Sequence, residues 1–251
     1  MNATIIYGWV SQPNGRGTLD VVWSCLITIF FCSWCILCLN IPAADEGEWR
    51  QFARKFKYLV LAIMFPELIF FSAFGQNSAA RISVESFGKL GFKTWTLWHA
   101  FYADMSGIML ETPDYQAFPL NASQLCYLVE NKYVVFSQET IARVQKDIRD
   151  KNKDNGFTRF ITVMQVGWFV LQFFGRVAQG HAFTTFELTT IAFVGCTLPT
   201  FECWRKKPAD IQTPGIVLVP NISIKEILHK AGEHFIKPGN TTRIKHTGNA
   251  A

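Results

Sequence analysis

Six polar side chains lie within or beside the apolar stretches of this sequence, and their types could support chemistry. They are Glu67, His99, Asp104, Gln165, Gln172 and Arg176. In a membrane such groups are hypotheses for function, because burying them costs several kcal/mol unless they are satisfied. A carboxylate and an imidazole that face one cavity could act as general acid and base. We therefore take Glu67, His99 and Asp104 as candidate catalytic residues of an isomerase or cyclase acting on an apolar small molecule.

The leading interpretation is a multi-pass bundle of unknown biochemical role that is structural or handles a small solute. The membrane-embedded enzyme and a proton-coupled transporter or channel are the alternatives, so whether the chain is an enzyme stays open. The same residues could line a proton-coupled or ion pathway. Alternatively, Glu67 pairs with Arg176 or accepts hydrogen bonds from backbone that Pro66 frees, and the two glutamines join helices by hydrogen bonds. His99 and Asp104 are five residues apart and would not share one helical face. We place Gln165, Gln172 and Arg176 in a polar bundle interior.

Several kinds of site are excluded by their missing motifs. The sequence has no phosphate-binding glycine loop, no HExxH metal motif and no GxSxG nucleophile elbow. Cys32 and Cys35 have the spacing of a redox or metal pair, but they lie in an apolar run without nearby ligands and are interpreted as packing residues. We predict no metal and no cofactor.

The net charge of +5 indicates basic loops that face anionic lipid, with no nucleic-acid partner.

The elements that would position these residues are apolar segments. No charged residue occurs between Val21 and Ala44, a run longer than the roughly 20 residues that cross a bilayer. The predicted fold class is an all-α polytopic membrane bundle of four to five transmembrane helices. Four lie near 19–40, 56–75, 158–176 and 186–204, and a fifth covers 92–110 if that segment crosses. The transmembrane bundle as a whole covers 19–208, between a short N-terminal segment 1–18 and a polar tail 209–251.

The polar insert 111–156 is predicted to be a hairpin followed by a helix. Gln124 to Phe136 reads as two short strands around Glu130-Asn131-Lys132. A charged helix then opens at Ser137 and ends near Gly156.

Basic residues give two topologies. With the N-terminus outside and five crossings, the connector 41–57, the insert and the Arg205-Lys206-Lys207 tail all lie inside. With the N-terminus inside and four crossings, the connector is exposed outside. The first model satisfies the charge rule better, and of the four glycosylation sequons (Asn2, Asn121, Asn221 and Asn240) it places only Asn2 in the lumen. The chain is expected in the endoplasmic reticulum or plasma membrane. Its expected partners are the bilayer, an apolar small molecule and a second copy of the chain.

The order of several motifs resembles a large family of uncharacterised fungal integral membrane proteins. The motifs are GRGTLDVVWSC (15–25), the helix exit Leu39-Asn40-Ile41-Pro42, Pro66-Glu67, WTLWHAFYADMSG (95–107), QVGWFVLQ (165–172) with Arg176, Phe186-Glu187-Leu188 and Lys207-Pro208-Ala209-Asp210. The resemblance implies a multi-pass helical membrane protein and carries no activity or substrate. Members often continue into further hydrophobic helices, which favours a shortened member or a bundle completed by oligomerisation.

Overall fold

The computed structural model describes residues 17–42, 46–151, 155–180, 183–208, 211, 215–220 and 223–231. This part of the chain is mostly helical, as predicted, and contains a three-stranded sheet that was not. The elements in chain order are α1 (Thr18–Cys35), α2 (Glu48–Met64), α3 (Pro66–Lys89), α4 (Leu97–Asp104), β1 (Ile108–Thr112), β2 (Tyr115–Pro119), α5 (Ala122–Glu130), α6 (Gln138–Lys151), α7 (Asn155–Ala178), α8 (Thr185–Cys203), β3 (Ile216–Leu218) and α9 (Ile224–Ala231).

Two helices of the described part are long and apolar enough to cross a membrane, and a third candidate is broken. The two are α1 and residues Phe160–Ala178 of α7, and only 22% of each apolar window is buried in the protein. Their large side chains face outward instead, as the 63% exposure of Trp23 and the 61% exposure of Trp168 show. Helix α8 does not pass the same test, so four to five spans are not confirmed.

Helices α1, α7 and α8 pack side by side. Helix α1 contacts both of the others, and the Gln165 amide of α7 donates to the Thr28 hydroxyl of α1 at 3.4 Å. The C-terminal turns of α1 and α8 and the N-terminal half of α7 line one shared groove. Therefore α1 and α8 run in the same direction, and α7 runs antiparallel to both. We call these three helices the bundle.

The helix predicted over 56–75 is two helices. Helix α2 ends at Met64, α3 begins at Pro66, and the chain bends by 109° between them. Proline lacks a backbone N–H and disfavours helical dihedrals in the preceding residue. Phe65 accordingly has φ −139° and ψ 65°, and Pro66 becomes the first residue of α3. The predicted kink is thus a complete break.

A second part of the molecule, which we call the cap, consists of the C-terminal half of α3, helices α4–α6 and the sheet. Its interior is aromatic: Phe87 and Trp95 are almost fully buried, and their ring centroids lie 4.3 Å apart. In the sheet the order is β2-β1-β3, with β1 antiparallel to β2 and parallel to β3. The tail predicted to be polar therefore contributes a strand to the cap.

The segment 92–110 does not form the predicted helix. Helix α4 covers only Leu97–Asp104, and β1 starts at Ile108. The helix ends where Ser106 takes a positive φ of 73° and the Gly107 N–H donates to the Tyr102 carbonyl at 2.9 Å. An aromatic segment that looked like a marginal membrane crossing is thus a buried helix and strand of the cap.

The hairpin predicted over Gln124 to Phe136 is wrong, because most of that segment is helical. Helix α5 begins after Asn121, whose side chain accepts from the Gln124 N–H at 2.7 Å while the Gln124 side chain accepts from the Asn121 N–H. This capping box starts a helix at residues with high strand propensity. The hairpin of the cap is β1–β2 instead. The predicted charged helix is present as α6, but it ends at Lys151, and the predicted end near Gly156 lies in α7.

Candidate functional site

The structure does not bring Glu67 and His99 into one cavity. Glu67 is exposed in the first turn of α3, on the side near Cys196 of α8. His99 stacks on Trp95, whose indole N–H donates to Ser83 near the other end of α3. Residues 67 and 83 are separated by 16 helical steps, or about 24 Å. The two groups cannot act on the same reacting atom.

His99 holds the start of α4. Its Nδ1 accepts from the Thr96 backbone N–H at 3.1 Å and lies 2.9 Å from the Thr96 hydroxyl oxygen. The side chain is only 2% exposed, and its buried Nε2 makes no hydrogen bond. Burial lowers the pKa of His99. The imidazole is therefore a neutral capping group within the aromatic core.

Asp104 belongs to a different cluster, at the junction of the cap and the bundle. Its Oδ1 accepts from the Ala122 N–H at 2.9 Å, which ties the end of α4 to the start of α5. Burial raises the pKa of Asp104, while the hydrogen bond from Ala122 and the charge of Lys207 lower it. The carboxyl group therefore connects two cap helices and faces a buried amine.

Lys207 is the residue that the sequence reasoning missed. Its side chain is buried, and Nζ donates to the Gln76 side-chain oxygen at 3.0 Å while lying 4.6 Å from the centre of the Trp204 ring. The same Gln76 oxygen accepts from the Trp204 indole N–H at 3.1 Å. Burial lowers the pKa of Lys207 to about 8, and the charges of Cys38 and Asp104 raise it in part. We call Lys207, Gln76, Trp204 and Asp104 the lysine cluster.

The lysine cluster joins the exit of α8 to α3 and α4. A buried amine with a lowered pKa can serve as a base or nucleophile. Here it is enclosed, and neither of the two grooves described below includes it, so its contacts indicate a structural role. The sequence feature that could have pointed to Lys207 was the Lys207-Pro208 motif. A basic residue after an apolar helix is, however, usually interpreted as a signal of membrane topology.

Two of the polar residues predicted on α7, Gln165 and Arg176, have side-chain partners on neighbouring helices. Arg176 Nη1 lies 3.3 Å from Oε1 of Glu187. Glu187 is 1% exposed, and its other carboxylate oxygen, Oε2, accepts from the Thr184 N–H. This pair closes the turn between α7 and α8, and it replaces the Glu67–Arg176 pair proposed above. Gln172 and Arg176 border a shallow groove of about 310 Å³ at that end of the bundle. Gln165 joins α7 to α1, as expected for interhelical hydrogen bonding.

A second groove lies between α1, α7 and α8, close to the end of the bundle that carries the cap. Its volume is about 240 Å³. The lining is apolar or small: Cys32, Cys35, Ile36, Thr162, Val163, Val166, Gly167, Val170, Thr197, Leu198 and Phe201. This groove can hold an apolar group, and it offers no charged side chain for acid–base chemistry.

The remaining predictions concern metals and glycans. No group of three or more His, Cys, Asp or Glu residues that could hold a metal occurs among the described residues. All seven cysteines, including Cys32 and Cys35, lie among the described residues, and none of them forms a disulfide. Asn121 uses its side chain as the cap of α5. Asn2 lies outside the described residues, and its glycosylation stays a prediction.

Comparison with known proteins identifies a family and no activity. No curated protein and no solved structure matches the chain. One family model, described as a family of unknown function (DUF8562), matches residues 2–229. The expectation of an uncharacterised family is confirmed, whereas fungal origin stays a prediction. The chain belongs to this family of unknown function, DUF8562.

Proposed function

We propose that the chain is an integral membrane protein that crosses the bilayer three times, through α1, α7 and α8, and binds an apolar molecule in the groove between them. The observation that carries the proposal is the outward-facing apolar surface of α1 and α7, of which Trp23 and Trp168 are the largest exposed side chains. Exposed apolar surface on this scale marks contact with a membrane or a partner. In this proposal, the exposed apolar surface contacts lipid.

Crossing by α8 follows from connectivity. Helix α7 runs away from the cap. The chain returns to the cap side after α8, where Trp204 and Lys207 contact Gln76 near the middle of α3 and the charge of Lys207 acts on Asp104 of α4. The 19 residues of α8 measure about 28 Å, close to the thickness of a hydrocarbon core. Three of its threonines donate to backbone carbonyls one turn earlier, so their hydroxyl groups are satisfied without water: Thr189, Thr190 and Thr200.

Helices α2 and α3 fit a re-entrant hairpin better than a crossing. The chain leaving α1 contacts the cap, because the Ile41 N–H donates to the Met105 carbonyl at 3.1 Å. Helix α3 ends in the cap, where Ser83 accepts from Trp95. Both ends of the α2–α3 pair therefore lie on the cap side, and the 109° bend at Phe65 is the turning point.

Charge supports placing the cap in the cytoplasm. The cap side holds the four basic residues of α2 and the Arg205-Lys206-Lys207 run. Residues 1–17 contain one basic residue, Arg16, and the turn 179–184 contains no Lys or Arg. The positive-inside rule then leaves the N-terminus outside. The proposed orientation is the same as in the five-crossing prediction, but the chain crosses the bilayer three times instead of five.

Exposed single cysteines in sealed membrane vesicles test this topology. Arg50→Cys in α2, Val135→Cys in the cap and Gln179→Cys after α7 each place a thiol at an exposed position. With a membrane-impermeant maleimide, we expect Arg50→Cys and Val135→Cys to react from one side and Gln179→Cys from the other. The unmodified chain is labelled in the same way, and its signal gives the background from the native thiols. Reaction of Arg50→Cys and Val135→Cys from opposite sides would show that α2–α3 crosses.

A further inference from the structure

We infer that the groove between α1, α7 and α8 binds one acyl chain of a membrane lipid. The inference rests on the proposed membrane placement and names the ligand of the proposed site. The lining residues on α7 are Thr162, Val163, Val166, Gly167 and Val170, which follow one helical face over eight helical steps, or about 12 Å. The groove is thus elongated along the helix.

The groove exists because small residues line it. A Cβ atom added to Gly167 would meet nothing within 4 Å, so the glycine leaves open space beside α7. Cys32 and Cys35 add little bulk on α1. The volume of about 240 Å³ exceeds the roughly 150 Å³ of an apolar cavity that holds benzene. A hydrocarbon segment fits this space.

The chemistry of the lining selects hydrocarbon over water or a polar ligand. The Thr197 hydroxyl donates to the Val194 carbonyl at 3.1 Å, so its proton is already used. A buried water needs two to four polar partners, and this lining offers few. An empty groove would lose dispersion contacts along its length. Within the bilayer, acyl chains are the abundant molecules that can fill it.

The position of the groove also fits a lipid. Cys35 and Ile36 lie at the last turn of α1, where the helix meets the cap side of the membrane. Leu198 is half exposed at the rim, so the groove opens sideways toward the surface that we assign to lipid. A chain entering from the bilayer would keep its head group at the interface beside the cap.

The test fills the groove by mutation. The full chain is reconstituted in nanodiscs containing a phosphatidylcholine with a photoreactive diazirine in one acyl chain. Gly167→Leu places a side chain in the groove, and Gly195→Leu is the matched control, because Gly195 is exposed on α8 and also meets nothing within 4 Å. Crosslinked residues are mapped by mass spectrometry, and lipid retained after detergent extraction is counted by native mass spectrometry.

We expect the unmodified chain to crosslink at groove residues and to retain one lipid. Gly167→Leu should reduce both signals about tenfold, and Gly195→Leu should change neither. Equal crosslinking at groove residues and at Trp23 in the unmodified chain would overturn the inference, and this outcome does not depend on whether the variants fold. Retention of the lipid by Gly167→Leu would also overturn it. Resistance to carbonate extraction is measured in parallel. A chain that resists extraction but fails these tests keeps the membrane proposal and loses the lipid site.

Discussion

The bundle and the cap use aromatic side chains in opposite ways. In the cap, Phe87 and Trp95 point inward and are at most 2% exposed. In the bundle, Trp23 and Trp168 point outward and are more than 60% exposed. Under the proposed membrane placement, this difference means that one chain meets two solvents, because apolar surface is buried against protein where water surrounds it and left outside where lipid does. Each prediction below probes one side of this contrast.

The largest expected effect is in the cap core. Phe87→Ala removes a buried ring that stacks on Trp95, and substitutions of this kind cost about 3–5 kcal/mol. We expect protease to cleave the cap while the chain still resists carbonate extraction. Phe71→Ala on the same helix is the control, since Phe71 is 67% exposed. Equal protease sensitivity in the two variants would mean that the Phe87–Trp95 stack does not hold the cap together.

The bundle should respond to charge instead. Trp168→Asp puts a carboxylate on the outward face of α7, and a charge at the centre of a membrane helix costs about 2.5–3.5 kcal/mol. We expect the fraction of chain that resists carbonate extraction to fall severalfold. Val135→Asp in the cap, at a residue 75% exposed, should leave it unchanged. A Trp168→Asp chain that inserts normally would remove α7 from the lipid-facing surface.

These contrasts also explain what could be read from the sequence. Helices α1, α7 and α8 were predictable because each contains a mostly apolar run, although only the runs of α1 and α7 are long and apolar enough to cross a membrane. The segment 92–110 misled the prediction because Trp95, Phe101 and Tyr102 suit a membrane interface and a soluble core equally well. Their surroundings are decided by tertiary contacts, with the preceding helix α3 and with β3, which is distant in sequence. Composition and periodicity carry no information about such contacts.

The arrangement of the candidate site residues could not be predicted from the sequence for the same reason. Glu67, His99 and Asp104 were grouped because each is polar and near an apolar run, but only a three-dimensional structure could place Glu67 a helix length from His99. Conversely, Lys207 meets Gln76 across 131 residues of sequence. That partner turns an ordinary basic flank into a buried amine. Long-range pairing is therefore the part of the site that local patterns cannot supply.

The boundary between the two regions should show a pH dependence. Lys207 has its pKa lowered to about 8 in the folded protein, from 10.5. Between these values the unfolded chain binds more protons, so stability should rise as pH increases from 8 to 10.5. At about 1.4 kcal/mol per pKa unit, the gain is at most about 3 kcal/mol. Thermal unfolding of the detergent-solubilised chain measures it.

Lys207→Met should abolish most of this rise, because the apolar side chain has no proton to lose. Lys206→Met changes the exposed neighbour and should keep the rise. If both variants behave like the unmodified chain, the Lys207 amine is not held in a buried environment, and the lysine cluster does not join bundle and cap.

The smallest expected effect separates a helix cap from a glycosylation site. Asn121→Ala removes the side chain that accepts from Gln124 at the start of α5, and such a loss costs about 1 kcal/mol. Ser123→Ala destroys the same sequon but leaves the Asn121 cap in place. We expect only Asn121→Ala to lower the unfolding temperature, and neither variant to change gel mobility, because a cytoplasmic cap meets no glycosylation machinery. A mobility shift shared by both variants would put the cap in the lumen and reverse the proposed orientation.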